Sequence, residues 1–295
     1  MIWMRKVQKR NQKKIIFVIK ISVTIIIIFL ISKKVDFLQL IRDFQHISSL
    51  TVLIIFSTTL IKLFIQFNNW GKYLHLNSDY HPQKNEVLKS YFIGMALHFI
   101  LPAGLGFFGK VYFVNNRKSA TAVSVGVERI FVTWKNLFFA SFAAIFYFST
   151  FNLFLKIALL ILIFLSPFLL YFFSFIINKE NLKKFFNNYL KIVPRIIIMQ
   201  IIFTFISFFQ YYIILKDFAN ISFFEVMISV PLVHVSHILP VSFSGFGMRE
   251  IFAIEVFSRF DINPEAAVTT TLMIFFMNSV LPAFVGAYLL IRANK

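Results

Sequence analysis

Leu101-Pro-Ala-Gly-Leu-Gly-Phe-Phe-Gly-Lys110 and Leu239-Pro-Val-Ser-Phe-Ser-Gly-Phe-Gly-Met-Arg249 interrupt two otherwise apolar segments with one chemistry. Each places a Leu-Pro step, then glycines, then a cation, in a run otherwise suited to lipid. Lipid-exposed backbone must satisfy its own hydrogen bonds, so such breaks persist only where they are packed in protein or line a cavity. Interruptions at corresponding positions of two halves are the pattern of an intramembrane binding site made from broken helices. Around them, apolar spans of membrane length lie near 15–32, 49–67, 132–150, 153–178, 194–215 and 265–291, and the broken segments occupy 87–118 and 223–258.

Composition agrees. Hydrophobic residues make up 59% of the 295-residue chain and charged residues 14%, which excludes a soluble globule. Residues 1–295 read as a single membrane domain with no room for a separate catalytic domain. The absence of cysteine excludes disulfides, thiolate catalysis and thiolate metal sites. A formal charge of +18 would suit nucleic acid, but the cations sit in short runs beside apolar spans, as cytoplasmic loops and anionic head groups require. No folded basic surface remains for nucleic acid, which is not an expected partner. The basic start, Arg5 to Lys14, resembles a signal-peptide n-region, yet no small-x-small cleavage site follows the first apolar run. An uncleaved first helix with its N-terminus inside is expected.

From that start, loop charge gives a topology. Residues 33–48 fall outside and 68–86 inside. If each broken segment is a hairpin returning to its own side, Lys179, Lys183, Lys184, Lys191 and Arg195 fall inside, as the positive-inside bias demands. Both termini are then cytoplasmic. The expected fold is an all-α polytopic membrane protein with about six full transmembrane helices plus two re-entrant broken hairpins. Its half-repeats, 15–150 and 151–291, have inverted topology, and the same symmetry brings the two breaks together.

A helix restarting after each break, near Lys110 and near Met248 with Ser242 or Ser244 as its cap, would offer N–H donors and a positive dipole end to an anion. Lys110 and Arg249 stand at those points, with Gly104, Gly106, Gly245 and Gly247 before them. Glu128-Arg129 lies on a helix from about Ser119 to 150, about 48 Å long and longer than a bilayer core, so an ionisable pair there is a second candidate. Adjacent residues do not face each other on a helix, which gives Arg249 and Glu250 different partners. Lys110, Arg129 and Arg249 are expected to converge on one Phe-walled cavity, with Glu128, Glu250 and Glu255 as counter-charges. The bland alternative is that the acids pair one-to-one with the cations and close it. His234 and His237 share a face, but no third ligand follows, so neither a metal nor a cofactor is expected.

The second break, Pro240 to Glu250, resembles the Pro-x-x-x-x-Gly-x-Gly-x-Arg-Glu motif of the lysylphosphatidylglycerol synthase transmembrane family, a flippase-like integral membrane family. The first break resembles the family's Leu-Pro-Gly-x-x-Gly-Glu-x-x-Arg motif, and Val125-Gly-Val-Glu128-Arg129 its Val-x-x-Glu-Arg step. Phe107, Lys110 and Thr133 depart from the family's usual Glu, Arg and Asp, which implies an altered or relaxed substrate. The resemblance runs from about residue 15 to 291 and implies a lipid flippase of a prokaryotic inner membrane. Its substrate would be an anionic phospholipid or polyprenyl phosphate, bound by Lys110, Glu128, Arg129, Arg249 and Glu250. The alternatives are a membrane-embedded enzyme modifying a lipid head group, or a non-catalytic membrane subunit partnering such an enzyme. An enzyme needs a poised base, and Glu128 and Glu250 each stand beside an arginine that favours the ionised, weakly basic form.

Overall fold

The computed structural model describes residues 29, 31, 33, 35–77, 79–100, 102–176, 180–238 and 247–293. The expected first span, apart from Phe29 and Ile31, lies outside these residues, as do Gly245 and the caps proposed at Ser242 and Ser244. Every regular element described is helical. In order these are α1 Phe37–His46, α2 Ser49–Leu74, α3 Lys84–Ile100, a 3₁₀ run Pro102–Phe113, α4 Lys118–Tyr147 and α5 Leu153–Ile176. Next come α6 Glu180–Lys216, α7 Phe223–Val235, α8 Met248–Phe257, α9 Pro264–Phe275 and α10 Leu281–Ala293. A π-helical turn, Phe276–Val280, joins α9 to α10.

Local chemistry sets the starts. The Ser48 hydroxyl accepts the Thr51 N–H at 3.0 Å to open α2. Ser222 and Glu225 form a reciprocal capping box at α7. Asn263 accepts the Ala266 N–H at 2.8 Å, and Pro264 takes the first position of α9, where its missing N–H costs nothing.

Four helices among the described residues are long and apolar enough to cross a membrane: Ser49–Leu74, Lys118–Tyr147, Lys183–Lys216 and Pro264–Ala293. Two boundaries differ from expectation. Helix α2 runs past residue 67 because Trp70, Tyr73 and Leu74 are buried in the core. Helix α6 begins well before 194 because Tyr189 and Val193 are buried, with the Tyr189 hydroxyl donating to the Pro167 carbonyl at 2.9 Å. The expected cytoplasmic loop there is therefore helical, and Lys183, Lys184, Lys191 and Arg195 line its exposed side.

The helices pack around two apolar cores. One gathers Ile55 of α2, Phe139 of α4 and Phe208 of α6. The other gathers Trp70, Phe131 and Ile196 of the same three helices. Outside, large apolar side chains such as Phe64, Phe154, Ile161 and Phe284 are exposed, a surface suited to lipid tails.

Polar contacts between connections define two ends of the bundle. At one end the Asp36 N–H donates to Glu265 at 2.9 Å, Thr51 donates to Asp217 at 3.2 Å, and Arg259 donates to the Tyr147 carbonyl. At the other, Asn77 donates to Asn116 at 2.8 Å, and the Asn115 N–H donates to Glu86. The chain thus enters α3 and leaves the 3₁₀ run at the same end. Helices α7 and α8, which flank the second break, likewise pack on one another.

Candidate functional site

The first hairpin closes through its glycines. A methyl group on Gly106 would overlap the Leu97 carbonyl, and one on Gly109 would overlap the Leu97 side chain. Backbone and side chain of α3 leave no room for more than hydrogen there. Across the hairpin, the Lys110 side chain lies over Gly94. Lys110 sits inside the 3₁₀ run, and the helix expected to restart there begins only at Lys118. The tight packing of the run along α3 leaves no free helix terminus at Lys110. Gly104 falls in the first turn of the run.

Lys110 is buried and donates to both oxygens of Glu128 at 2.7 Å. Its ammonium also stands 4.4 Å from the centre of the Trp70 ring. Arg129, next on α4, reaches the same carboxylate at 3.6 Å. The Arg129 guanidinium stacks on Phe107 at 3.5 Å, and Phe107 stacks on His98 at 4.0 Å. Phe107, where the family pattern has an acid, thus serves as an aromatic platform for a cation. Two cations share one carboxylate here. The Arg129 side chain is 32% exposed, and its Nε is buried without an acceptor.

At the second break, Gly247 has φ of 86°, a left-handed region that favours glycine, and α8 starts at Met248. Gly247 itself is the N-cap. Glu250 turns back to accept the Gly247 N–H at 2.7 Å, and its other oxygen pairs with Arg249. The expectation that Arg249 and Glu250 serve different partners is corrected. Folding of Glu250 towards the helix start brings it within reach of the long arginine side chain. The end of α8 is therefore already supplied with a carboxylate, and both residues are buried. Glu255 is exposed on the outer face of α8, away from this pair.

The structure joins Lys110, Glu128 and Arg129 in one cluster and Arg249 with Glu250 in another. Between them run two aromatic rings. Arg249 lies 4.4 Å from the centre of Phe275, and Phe275 lies 5.7 Å from Phe99, the neighbour of His98. Phe275 also borders an apolar cavity of about 490 Å³ with Phe44, Ile47, Val52, Met273 and Val280. Lys110 and Arg129 do not line it. The residue pattern also passed over Lys62 and Lys135, two buried lysines inside the apolar spans. A lone lysine in the middle of a hydrophobic run was the available signal, hidden when a span is read by its average.

A family model described as the lysylphosphatidylglycerol synthase TM region matches residues 17–286. No curated protein and no solved structure gives a significant match. The match and the apolar helices together make the chain a multi-pass integral membrane protein.

Proposed function

The chain belongs to the lysylphosphatidylglycerol synthase transmembrane family, and on that premise we propose that it is a lipid flippase that takes an anionic head group into an intramembrane site. Phospholipid and polyprenyl phosphate both present the required phosphoryl group. Arg129 carries the reading. Lys110 and Arg129 share Glu128, so the cluster keeps one positive charge, and that charge resides on its partly exposed member. A guanidinium is suited to phosphate because its donors form a planar fork. Lys110, fully enclosed, positions Glu128 rather than meeting substrate. Arg249 and Glu250 form a charge-neutral post at the other break, and the cavity beyond Phe275 accepts acyl chain. Both oxygens of Glu128 and of Glu250 are engaged, which leaves neither free as a base and weighs against the enzyme reading.

The topology that accompanies this function has about six full spans and two re-entrant hairpins, with both termini on the cytoplasmic side of a prokaryotic inner membrane. The loop contacts at the two ends of the bundle support it, because they pair expected outside with outside and inside with inside. Reciprocal packing supports the inverted repeat. If α2 corresponds to α6, α3 to α7 and α4 to α9–α10, the packing of α3 on α10 has its counterpart in α7 on α4. That of α2 on α4 matches α6 on α9.

The test is lipid translocation in proteoliposomes carrying fluorescent phosphatidylglycerol. Arg129→Gln and Arg249→Ala should each lower the rate by about tenfold or more, a loss of about 1.4 kcal/mol. Rates equal to wild type in properly folded variants would refute the role of these arginines.

A further inference from the structure

Lys62 and Lys135 are buried near the middle of α2 and α4. The Lys62 ammonium donates to the Gln210 side-chain oxygen at 2.9 Å. Lys135 has neither a hydrogen-bond acceptor nor an ion-pair partner among the described residues. Both ammoniums lie against one ring, Phe203 of α6, at 4.6 and 3.8 Å from its centre. The charges acting on Lys135 are themselves cations, Lys62 and Arg129. Two desolvated like charges around one ring, with no carboxylate between them, are not a structural ion pair.

Several buried donors here are unsatisfied. Gln200, one turn before Phe203, is completely buried, and its side-chain NH₂ makes no well-formed hydrogen bond, although the Tyr73 hydroxyl lies beside it. The side-chain NH₂ of Asn69, also buried, has none either. Gln66, one turn from Lys62, reaches the Gln200 oxygen at a long 3.5 Å. Buried polar groups are ordinarily hydrogen-bonded, so spare donors collected beside unpaired cations mark an absent acceptor.

This polar level has a definite place. In α2, α4 and α6 it falls between the two apolar cores, after Ile55 and before Trp70, after Phe131 and before Phe139, and after Ile196 and before Phe208. All three helices are long and apolar enough to span a membrane, and the level crosses each near mid-length. We propose that the junction of α2, α4 and α6 is a binding site for a phosphoryl oxyanion, held by Lys62 and Lys135 with amide donors from Gln66 and Gln200. Several acceptor oxygens and one or two negative charges match two ammoniums and two amides, and no carboxylate among the described residues pairs with either ammonium. The phosphodiester of a lipid and free inorganic phosphate present the same group. The site does not require Arg129 to bind lipid; if it does, this is the next station towards the centre of the bundle.

The full chain in phosphatidylcholine nanodiscs is titrated with radiolabelled inorganic phosphate. In parallel, nanodiscs of rising phosphatidylglycerol content are prepared, and retained lipid is counted by native mass spectrometry. Saturable binding should occur in at least one arm, fall by about tenfold or more in the Lys62→Met/Lys135→Met variant, and persist in Lys135→Arg and in the exposed control Lys191→Gln. Loss in the phosphate arm alone assigns a free ion, and loss in the lipid arm alone assigns a lipid phosphoryl group. Lys135→Met removes no hydrogen bond, so in phosphatidylcholine it should raise the midpoint of thermal unfolding; a structural lysine would lower it. Equal binding by wild type and double variant in both arms, or no saturable binding in either, overturns the proposal. Arg129→Gln run alongside separates the two sites: unchanged translocation there, with lysine-dependent binding intact, removes the Arg129 reading and leaves this one standing.

Discussion

Glu128 holds two cations at a depth where one charge is already expensive. Lys110 takes both its oxygens, and Arg129 approaches one of them. Glu128→Gln would leave Lys110 enclosed without a counter-charge, and breaking a buried pair from one side costs about 3–5 kcal/mol. Thermal unfolding in detergent should show that loss, and Glu128→Gln/Lys110→Met should recover much of it, because the stranded charge is gone. A double variant no more stable than the single one would show that the pair is not what Glu128 stabilises. At this scale the sequence was partly legible. Lys110, Glu128, Arg129, Arg249 and Glu250 stood out as ionisable groups in apolar runs. Their partners did not, because Lys110 meets Glu128 only once the hairpin has closed. Helical spacing alone separates Arg249 from Glu250, and the return of Glu250 to the Gly247 N–H defeats that spacing. Lys62 and Lys135 escaped because each is one residue in a hydrophobic average.

Among elements, two helical glycines make a controlled comparison. On Gly286 of α10 a methyl group would overlap the Phe92 carbonyl of α3, whereas around Gly126 of α4 there is nothing within 4 Å. Replacing either by alanine gains the same helix propensity, about 1 kcal/mol. Gly126→Ala should therefore leave the protein as stable or slightly more so. Gly286→Ala should cost about 1–3 kcal/mol by prising α10 from the first hairpin. Matched unfolding curves for the two variants would contradict the close approach of α3 and α10. The existence of the long helices was readable from apolar runs, and so were the starts of α4, α5 and α9, but the end of α2 and the start of α6 were not. Trp70 and Tyr73 extend α2, and Tyr189 and Val193 extend α6, by burial against partners that lie far away in the chain.

For the whole molecule, sidedness is the testable quantity. The chain has no cysteine, so each introduced thiol reports alone. Lys184→Cys and Asn116→Cys should be shielded from an impermeant maleimide in intact cells and react after permeabilisation. Asp36→Cys and Glu265→Cys should react from outside in both conditions. Labelling of position 184 from outside with position 36 shielded would reverse the orientation, and labelling of positions 36, 116 and 184 all from outside would mean that the first hairpin crosses. The expected sidedness rests on the loop charges, chiefly the 179–195 cluster. The pairing of connections at each end needed three-dimensional contacts between segments as distant as Asp36 and Glu265.

The carboxy-terminal rod has to meet both hairpins, and they present themselves in different directions. Its first part, α9, packs on α8 and carries Phe275 beneath Arg249; its last part, α10, sets Gly286 against α3. The wide turn Phe276–Val280 between them holds one residue more than a regular turn would. One residue is about 100° of rotation around the axis, so the same sequence wound as an unbroken α-helix would turn Gly286 away from Phe92. The wide turn is thus an angular offset: a single helix acquires two independent bearings and can serve as common axle to both hairpins.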